Sequence, residues 1–451
     1  MSDNAEAALA GPLAAPESLP WRRGVAWLLF LGPFFFLSYG FANGWAASRA
    51  APASIVFDWE RQMPFWAWTI VPYWSIDLLY GLSFLLCHSR RAVDIHALRL
   101  LTAQLVCIGC FIAFPLRFSL ERPATDGLFG ALFDLLAGFD QPFNQAPSLH
   151  IVLLVVLWAR YAAASRGLWR LLTHLWAGLI GLSVLTTYQH HFIDLPTGLL
   201  VGLLCLWCWP DDAPAVPAQW RTTGSPARRR IAGAYLLAAL ACVAVACSGG
   251  FALCLLWPAV ALALVGLIYL GLGAAGFQKR DGCLSVASAW LLAPYIAAAW
   301  LNSRLWTWRR PASVEVVDGV WMGRLPTRRA MAAGGFAGLV DLTAEFPSPR
   351  GRWSCVNLPW LDLVPPEPGA LAAAAAVIEQ QRRDGPFLVC CALGYSRSAA
   401  AVAAWLLVTG RAVGVDDAIR LIAVSRPQIV LGAGHRVALQ ELAADRRPPH
   451  G

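Results

Sequence analysis

Uncharged apolar stretches long enough to cross a lipid bilayer recur along residues 25–301, and no other feature restricts the fold of this 451-residue chain as much. Inside hydrocarbon every backbone N–H and C=O must find its partner within the protein, so the chain can span only as helices or as a closed barrel. Apolar runs of about twenty residues fit helices. The expected spans are 25–46, 66–87, 100–116, 149–164, 171–188, 195–209, 231–247 and 251–274, with a ninth apolar stretch, 283–301, that contains Pro294. A content of 58% hydrophobic against 14% charged residues excludes an ordinary soluble domain for this part of the chain. The 22 Trp suit the bilayer interface, and several adjoin Arg at expected span ends, as in Trp21-Arg22-Arg23 and Trp308-Arg309-Arg310. The first span starts too far into the chain, and is too long, for a cleaved signal.

Basic residues set the orientation. Arg22 and Arg23, Arg90 and Arg91, Arg160 with Arg166 and Arg170, Arg221 with Arg228 to Arg230, and Lys279-Arg280 all alternate onto one side, which places the N-terminus in the cytoplasm. The net charge of +8 is therefore a topological signal. No basic stripe interleaved with aromatics points to nucleic acid. The ninth stretch has basic residues at both ends and breaks the alternation. If it spans, the C-terminal region lies on the far side; if it re-enters at Pro294, that region stays cytoplasmic. Cys107/Cys110 and Cys205/Cys208 have Cys-x2-Cys spacing but sit in apolar runs without partner ligands, so they read as packing residues and no metal site is expected.

Beyond the apolar region the sequence changes character. Residues 387–390 form a short apolar strand, Cys391 to Ser398 reads Cys-x5-Arg-Ser, and an Ala-rich helical run comes next. Strand, tight loop and helix N-terminus make an anion cradle, because backbone N–H groups and the helix dipole converge there. A cysteine at the mouth of that cradle is placed to attack as a thiolate, and an arginine at its end can grip two phosphate oxygens. A general acid is also required, and Asp362, between the strand at 356–358 and the Pro-rich turn Pro365-Pro366, fits that task better than Asp341, which ends a strand at 338–341.

The arrangement resembles the cysteine-dependent protein tyrosine and dual-specificity phosphatases, whose loop reads His-Cys-x5-Arg-Ser/Thr. The resemblance covers about 313–442. It implies Cys391 as nucleophile, Arg397 as phosphate clamp, Asp362 as general acid and Ser398 as the hydroxyl that helps the thiolate leave, with Gly394 and Ser396 in the phosphate-binding loop. It implies no cofactor. Cys390 stands where the family has His, and a resolving role for it is the alternative to plain packing. The form Cys-x-x-Gly-x-Ser-Arg-Ser-Ala is most similar to the phosphatidylglycerophosphate phosphatase branch, whose substrates are lipids. A catalytic thiolate needs a reducing compartment, which favours a cytoplasmic C-terminal domain.

A second set of polar residues gathers at the span ends opposite the basic loops: Arg117 and Arg122-Pro123, Pro147-Ser148-Leu149-His150, and His190-His191 with Asp194. Ionisable residues there are functional candidates. His190 and Asp194 are four apart, so Asp194 can fix the imidazole tautomer and leave the other nitrogen to attack phosphorus. His150 can protonate the leaving alkoxide and Arg122 can neutralise phosphate oxygens. His191 points elsewhere on the turn. His88 and His96 fall with Arg90 and Arg91 in a loop and read as solvated, and His435 reads as surface or supporting. These clusters resemble the three motifs of the type 2 phosphatidic acid phosphatase superfamily, Lys-x6-Arg-Pro, Pro-Ser-x-His and Ser-Arg-x5-His-x3-Asp. Pro115 replaces the Lys, with Arg117 near it, and Val184 replaces the Arg beside Ser183. The Gln-His-His-x-Ile-Asp form is also similar to the inositol phosphorylceramide synthase-like branch, which moves phospho-headgroups between lipids.

The expectation is a multi-span α-helical membrane bundle followed by a small α/β domain of the dual-specificity phosphatase type. Its parts are a disordered segment 1–20, a six-span bundle 21–210, a linker 211–230, a further hydrophobic module 231–311 and the α/β domain 312–451. Strands are expected at 314–317, 320–322, 338–341, 356–358 and 387–390, and helices at 370–383, 398–408, 415–424 and 434–443. The expected activity is hydrolysis of a phosphate monoester in a bacterial inner membrane, with a phospholipid or other lipid phosphate as partner and no nucleic acid. A membrane-anchored protein phosphatase and a lipid phosphotransferase are the alternatives.

Overall fold

The computed structural model describes residues 20–49, 52–138 and 140–445, so the expected disordered segment lies, except for Pro20, outside the described residues. The chain divides into two compact units, Met1–Ala218 and Gln219–Gly451.

The first unit is helical: α1 (Trp21–Ala47), α2 (Ile70–Ser83), α3 (Arg90–Ala113), α4 (Gly127–Ala137), α5 (Leu149–Ala164), α6 (Gly167–Thr186) and α7 (Asp194–Cys208). Among the described residues of the whole chain, six helical segments are long and apolar enough to cross a membrane: Trp21–Ala47, Ala67–Leu86, Arg90–Ala113, Gly167–Thr186, Pro226–Ala246 and Gly250–Phe277. The expected spans at 149–164 and 195–209 are the shorter helices α5 and α7, of 16 and 15 residues. At 1.5 Å per residue each reaches only about 22–24 Å, less than the ~30 Å hydrocarbon core. Their N-termini carry His150 and Asp194, so two short helices set these groups in a recess. Gly198 and Gly202 let α7 press against α5: a Cβ on either would fall 2.8 Å or 2.6 Å from the Cβ of Ile151 or Val155. Helix α4 was not expected from sequence, and α3 begins ten residues before the expected span because Ser89 caps it, its Oγ accepting from Ala92 N. The extra turns bury His96 and Arg99, contrary to the solvated reading of His96. Arg99 pairs with Asp211 at 3.0 Å and donates to the Trp209 carbonyl, while His96 Nε2 meets Ser83 Oγ at 2.7 Å.

The second unit opens with α8 (Pro226–Ala246) and α9 (Leu256–Leu267), a π-helical turn (Ile268–Leu272) and a minimal hairpin of β1 (Lys279–Arg280) and β2 (Cys283–Leu284). The ninth apolar stretch breaks into α10 (Val286–Leu291) and α11 (Ala293–Thr307), with Pro294 in the first turn of α11. Neither piece is long enough to span. The α/β part comes next: β3 (Ser313–Val317), β4 (Val320–Arg324), α12 (Arg328–Ala333), β5 (Gly338–Thr343), β6 (Ser354–Trp360), α13 (Pro368–Gln381), β7 (Phe387–Cys391), α14 (Arg397–Val408), α15 (Val415–Ser425) and α16 (Ala433–Ala444). Each expected strand and helix is present within a few residues; α12 is additional. The sheet order is β3-β4-β7-β5-β6, antiparallel at β3 and parallel elsewhere. Strand β7 is central and buried along its length, which its unbroken apolar sequence requires. Its side chains alternate between two cores. Phe387, Val389 and Cys391 face α13, α14, α15 and α16, whereas Leu388 and Cys390 face α12 and, through Ile296 and Ala299, α11.

Candidate active site

Cys391 ends the central parallel strand, where α/β sheets commonly hold ligands. The chain then turns through Ala392 to Ser396 and enters α14 at Arg397. Only glycine serves at position 394. Its φ is +74°, and a Cβ there would lie 2.3 Å from the Gly323 carbonyl carbon. This tight passage brings the Gly394 N–H to 3.2 Å from Cys391 Sγ, and the Ser398 hydroxyl lies 3.5 Å from the same sulfur. The thiol is 3% exposed. Sγ thus receives a backbone N–H beside the start of α14.

Arg397 is buried and held from behind. Its Nη1 donates to Glu345 Oε2 at 2.8 Å and to the Trp360 carbonyl at 3.0 Å, and its Nη2 donates to Glu345 Oε1 at 2.6 Å. Asp362 Oδ1 stands 3.3 Å from Nη2. Among the described residues Nε has no hydrogen-bond partner. Burial opposes the guanidinium charge, but Glu345 and Asp362 outweigh it and hold the pKa of Arg397 well above its ordinary value. Burial likewise acts to raise Glu345, and Arg397 overcomes this and holds that carboxyl below its usual value. Glu345, in the loop after β5, was not anticipated: it lies 52 residues from Arg397 and has no local motif.

The remaining loop residues are supported individually. Ser396 Oγ meets His435 Nε2 at 3.1 Å, which gives His435 a supporting place beside the loop; burial lowers the pKa of that imidazole. Arg426 donates to the Leu393 carbonyl at 3.1 Å and lies over the Tyr395 ring. Cys390 faces the opposite core, 3.4 Å from the Val340 carbonyl, and burial pushes its thiol well above the ordinary value, so it packs away from Cys391 and the resolving role is not supported. Asp341 is fully buried and bound to Lys279 Nζ at 2.7 Å and Ser348 Oγ at 2.6 Å, away from the loop. Asp362 is the carboxylate that reaches Arg397, and its side chain is 31% exposed.

In the first unit, His190 Nδ1 lies 3.1 Å from Asp194 Oδ2, which also accepts the His191 backbone N–H at 3.1 Å. The Ser148 N–H donates to the Asp194 carbonyl, joining the loop before α5 to the start of α7. His150 stacks on Tyr73 with ring centres 4.1 Å apart. Both imidazoles line one cavity of about 520 Å³, together with Tyr39, Asp77 and Asp140. Arg117 and Arg122 are not among its lining residues; Arg122 lies over the Phe133 ring. The His191 side chain joins a further polar web. Its Nδ1 bonds Glu60 at 3.0 Å and its Nε2 meets Ser54 and Ser119, each at 3.2 Å. Glu60, buried in a short turn before α2, also accepts from the Phe57 and Phe192 N–H groups and was missed in the sequence.

No protein-family model and no curated protein matches the chain. Among solved structures, a mouse dual specificity phosphatase complexed with zinc tungstate is 26% identical over 30% of this chain and 88% of its own, with a TM-score of 0.27. Tk-PTP in its active form is 22% identical over 30% of this chain and 99% of its own, at 0.28. PTPMT1 in complex with PI(5)P is 20% identical over 30% of this chain and 96% of its own, at 0.27.

Proposed function

We propose that this chain is a membrane-embedded phosphatase that hydrolyses phosphate monoesters through a phosphocysteine at Cys391, with lipid phosphates as substrates. The observation that carries the reading is the Cys391 sulfur receiving the Gly394 N–H at the mouth of α14, beside an arginine fixed by a buried carboxylate. The thiolate attacks phosphorus, the S–P bond forms, and the P–O bond to the alcohol breaks. Asp362 as the carboxylic acid gives its proton to the departing oxygen. Its carboxylate then takes a proton from the attacking water, the S–P bond breaks, and inorganic phosphate leaves. The Ser398 hydroxyl, 3.5 Å from Sγ, donates to the sulfur as its charge returns. Arg397 holds the equatorial oxygens, with Nε as the donor still open. The cytoplasmic face supplies the reducing surroundings this thiol needs, and a reporter fused to the C-terminus tests that placement.

A second reading concerns the first unit, and the His190–Asp194 contact favours it. Asp194 orients His190 for attack on a lipid phosphate, and His150, lining the same cavity, protonates the leaving group. This matches the type 2 phosphatidic acid phosphatase resemblance. The carboxylates of Asp77 and Asp140 beside the imidazoles also suit transfer of a phospho-headgroup to an alcohol. One experiment separates the halves: phosphate release and new-lipid formation from a lipid panel by the full chain, Cys391→Ser, His190→Ala and the double variant. Full activity in Cys391→Ser on every phosphate monoester refutes the phosphocysteine reading, and full activity in His190→Ala refutes the second.

A further inference from the structure

The hydrophobic module before β3 shares a cavity with the α/β domain. A cavity of about 560 Å³ is lined by Glu345, Asp362 and the loop residues Ala392 and Leu393. Its other walls come from three apolar helices: Tyr235 of α8, Leu262 of α9, and Tyr295 and Ala298 of α11. This volume lies within the range of small-molecule sites.

Polar contacts join the module to the α/β domain, and two of the donors, Tyr269 and the Lys279 side chain, are buried. Tyr269, on the π-helical turn, donates its hydroxyl to the Asp362 carbonyl at 3.0 Å. Such turns are frequent at functional sites. Lys279 Nζ donates to Asp341 Oδ2 at 2.7 Å and to the Thr343 carbonyl at 2.8 Å, and the two charged side chains are 1% and 0% exposed. Arg324, after which the chain leaves β4, donates to Thr307 Oγ1 at 2.7 Å, and Arg304 donates to the Leu325 carbonyl at 2.9 Å. Helix α11 completes the core beneath Cys390 through Ile296 and Ala299.

We infer that α8, α9 and α11 form the hydrocarbon-binding half of the active site, so that the chain of a single-chain or double-chain phosphate monoester lies among them while its phosphate occupies the Cys391 cradle. This rests on the phosphocysteine reading. The occupant is set by continuity. The cavity is lined by the general acid Asp362 and by Ala392 and Leu393, which follow Cys391, and also by apolar helices, two of which belong to segments, Pro226–Ala246 and Gly250–Phe277, that are apolar and long enough to lie in a bilayer. A phosphorylated side chain on a folded protein has no apolar extension to fill such walls.

The test measures kcat/KM of the full chain in detergent for alkyl phosphates of increasing chain length and for an aryl phosphate. The parent should gain up to about fourfold per added methylene, the value for complete burial, until the cavity is full. Ala298→Trp and, independently, Leu262→Trp should lower the ratio of long-chain to aryl turnover at least tenfold, whereas Leu240→Trp on the exposed face of α8 should leave that ratio alone. Aryl phosphate turnover that depends on Cys391, in a parent indifferent to chain length or in tryptophan variants with the parental ratio, overturns the chain-binding inference by itself. No Cys391-dependent turnover of any monoester removes the phosphocysteine reading, and this inference with it.

Discussion

On the proposed function, replacing Glu345 with glutamine removes the charge that fixes the phosphate clamp Arg397 while keeping the side chain's shape. Two contacts change, Nη1 to Oε2 at 2.8 Å and Nη2 to Oε1 at 2.6 Å, and an amide can accept at only one of them. A hydrogen bond to a charged group is worth about 1.5–3 kcal/mol, and leaving one partner of a buried pair costs about 3–5 kcal/mol. Arg397 keeps the Trp360 carbonyl and Asp362, so the lower part of that range, about 3 kcal/mol, applies. At 1.36 kcal/mol per decade this is a loss of about a hundredfold in kcat/KM if the whole amount appears in the transition state. Arg397, freed from Glu345, also swings towards Asp362 and draws the general acid away. The assay is aryl and alkyl phosphate hydrolysis by the full chain in detergent, alongside its thermal midpoint. Glu345→Leu with Arg397→Met removes the pair together and should regain stability without activity, because well-packed apolar replacements of buried ion pairs are often neutral or better. The acid dependence has a definite sign. Arg397 holds the folded-state pKa of Glu345 below its ordinary value, so the stabilisation is complete above the ordinary glutamate range and is lost as pH falls through the depressed value. The parent's midpoint should therefore drop more steeply in acid than that of Glu345→Gln. Parental kcat/KM in Glu345→Gln would refute the reasoning that this carboxylate positions the clamp.

Asp362→Asn should lower alkyl phosphate turnover about 10²–10⁴-fold and aryl phosphate turnover much less, because an acidic phenol leaves without a proton; equal losses on both would remove its role as acid. Gly394→Ala forces a side chain at φ +74° against the Gly323 backbone, and a displacement near 1 Å in the cradle should cost about a hundredfold in kcat/KM. Asp194→Asn should cut lipid turnover that survives Cys391→Ser by up to about 10⁴-fold, the scale expected when an imidazole loses its orienting carboxylate. Unchanged turnover in that background would reduce the His190–Asp194 contact to packing.

What could be read from the sequence was local. Cys391 to Ser398 spans one loop and one helix start, and both the chemistry and the strand–loop–helix context lie within those consecutive residues. His190 and Asp194 were legible for the same reason, being four residues apart, although His190 lies in the turn before α7. Glu345 holding Arg397 across 52 residues, and Glu60 holding His191 across 131, leave no periodic or motif signal, because folding brings them together. His96 misled because its neighbours are basic. Charge density in the sequence does not reveal that Ser89 starts the helix early and that Asp211 returns to neutralise Arg99 and Arg160. The close approach of α5 and α7, which Gly198 and Gly202 permit, was not among the expectations.

The module between the two candidate sites bears on how a soluble-looking fold works at a membrane. A tether needs only length and flexibility. This one instead carries a buried lysine whose carboxylate partner lies on a central strand of the sheet. A buried ion pair is a weak source of net stability, since desolvation offsets most of the attraction, but misplacing either partner is costly. Such a pair serves geometry better than strength. Lys279 fixes the hairpin against β5, the hairpin leads directly into α10, and Tyr269 fixes the loop that carries Asp362. Each contact joins the apolar module to the α/β domain. On the phosphocysteine reading, such contacts would set the distance from apolar wall to attacking sulfur, as alignment of a substrate before chemistry requires.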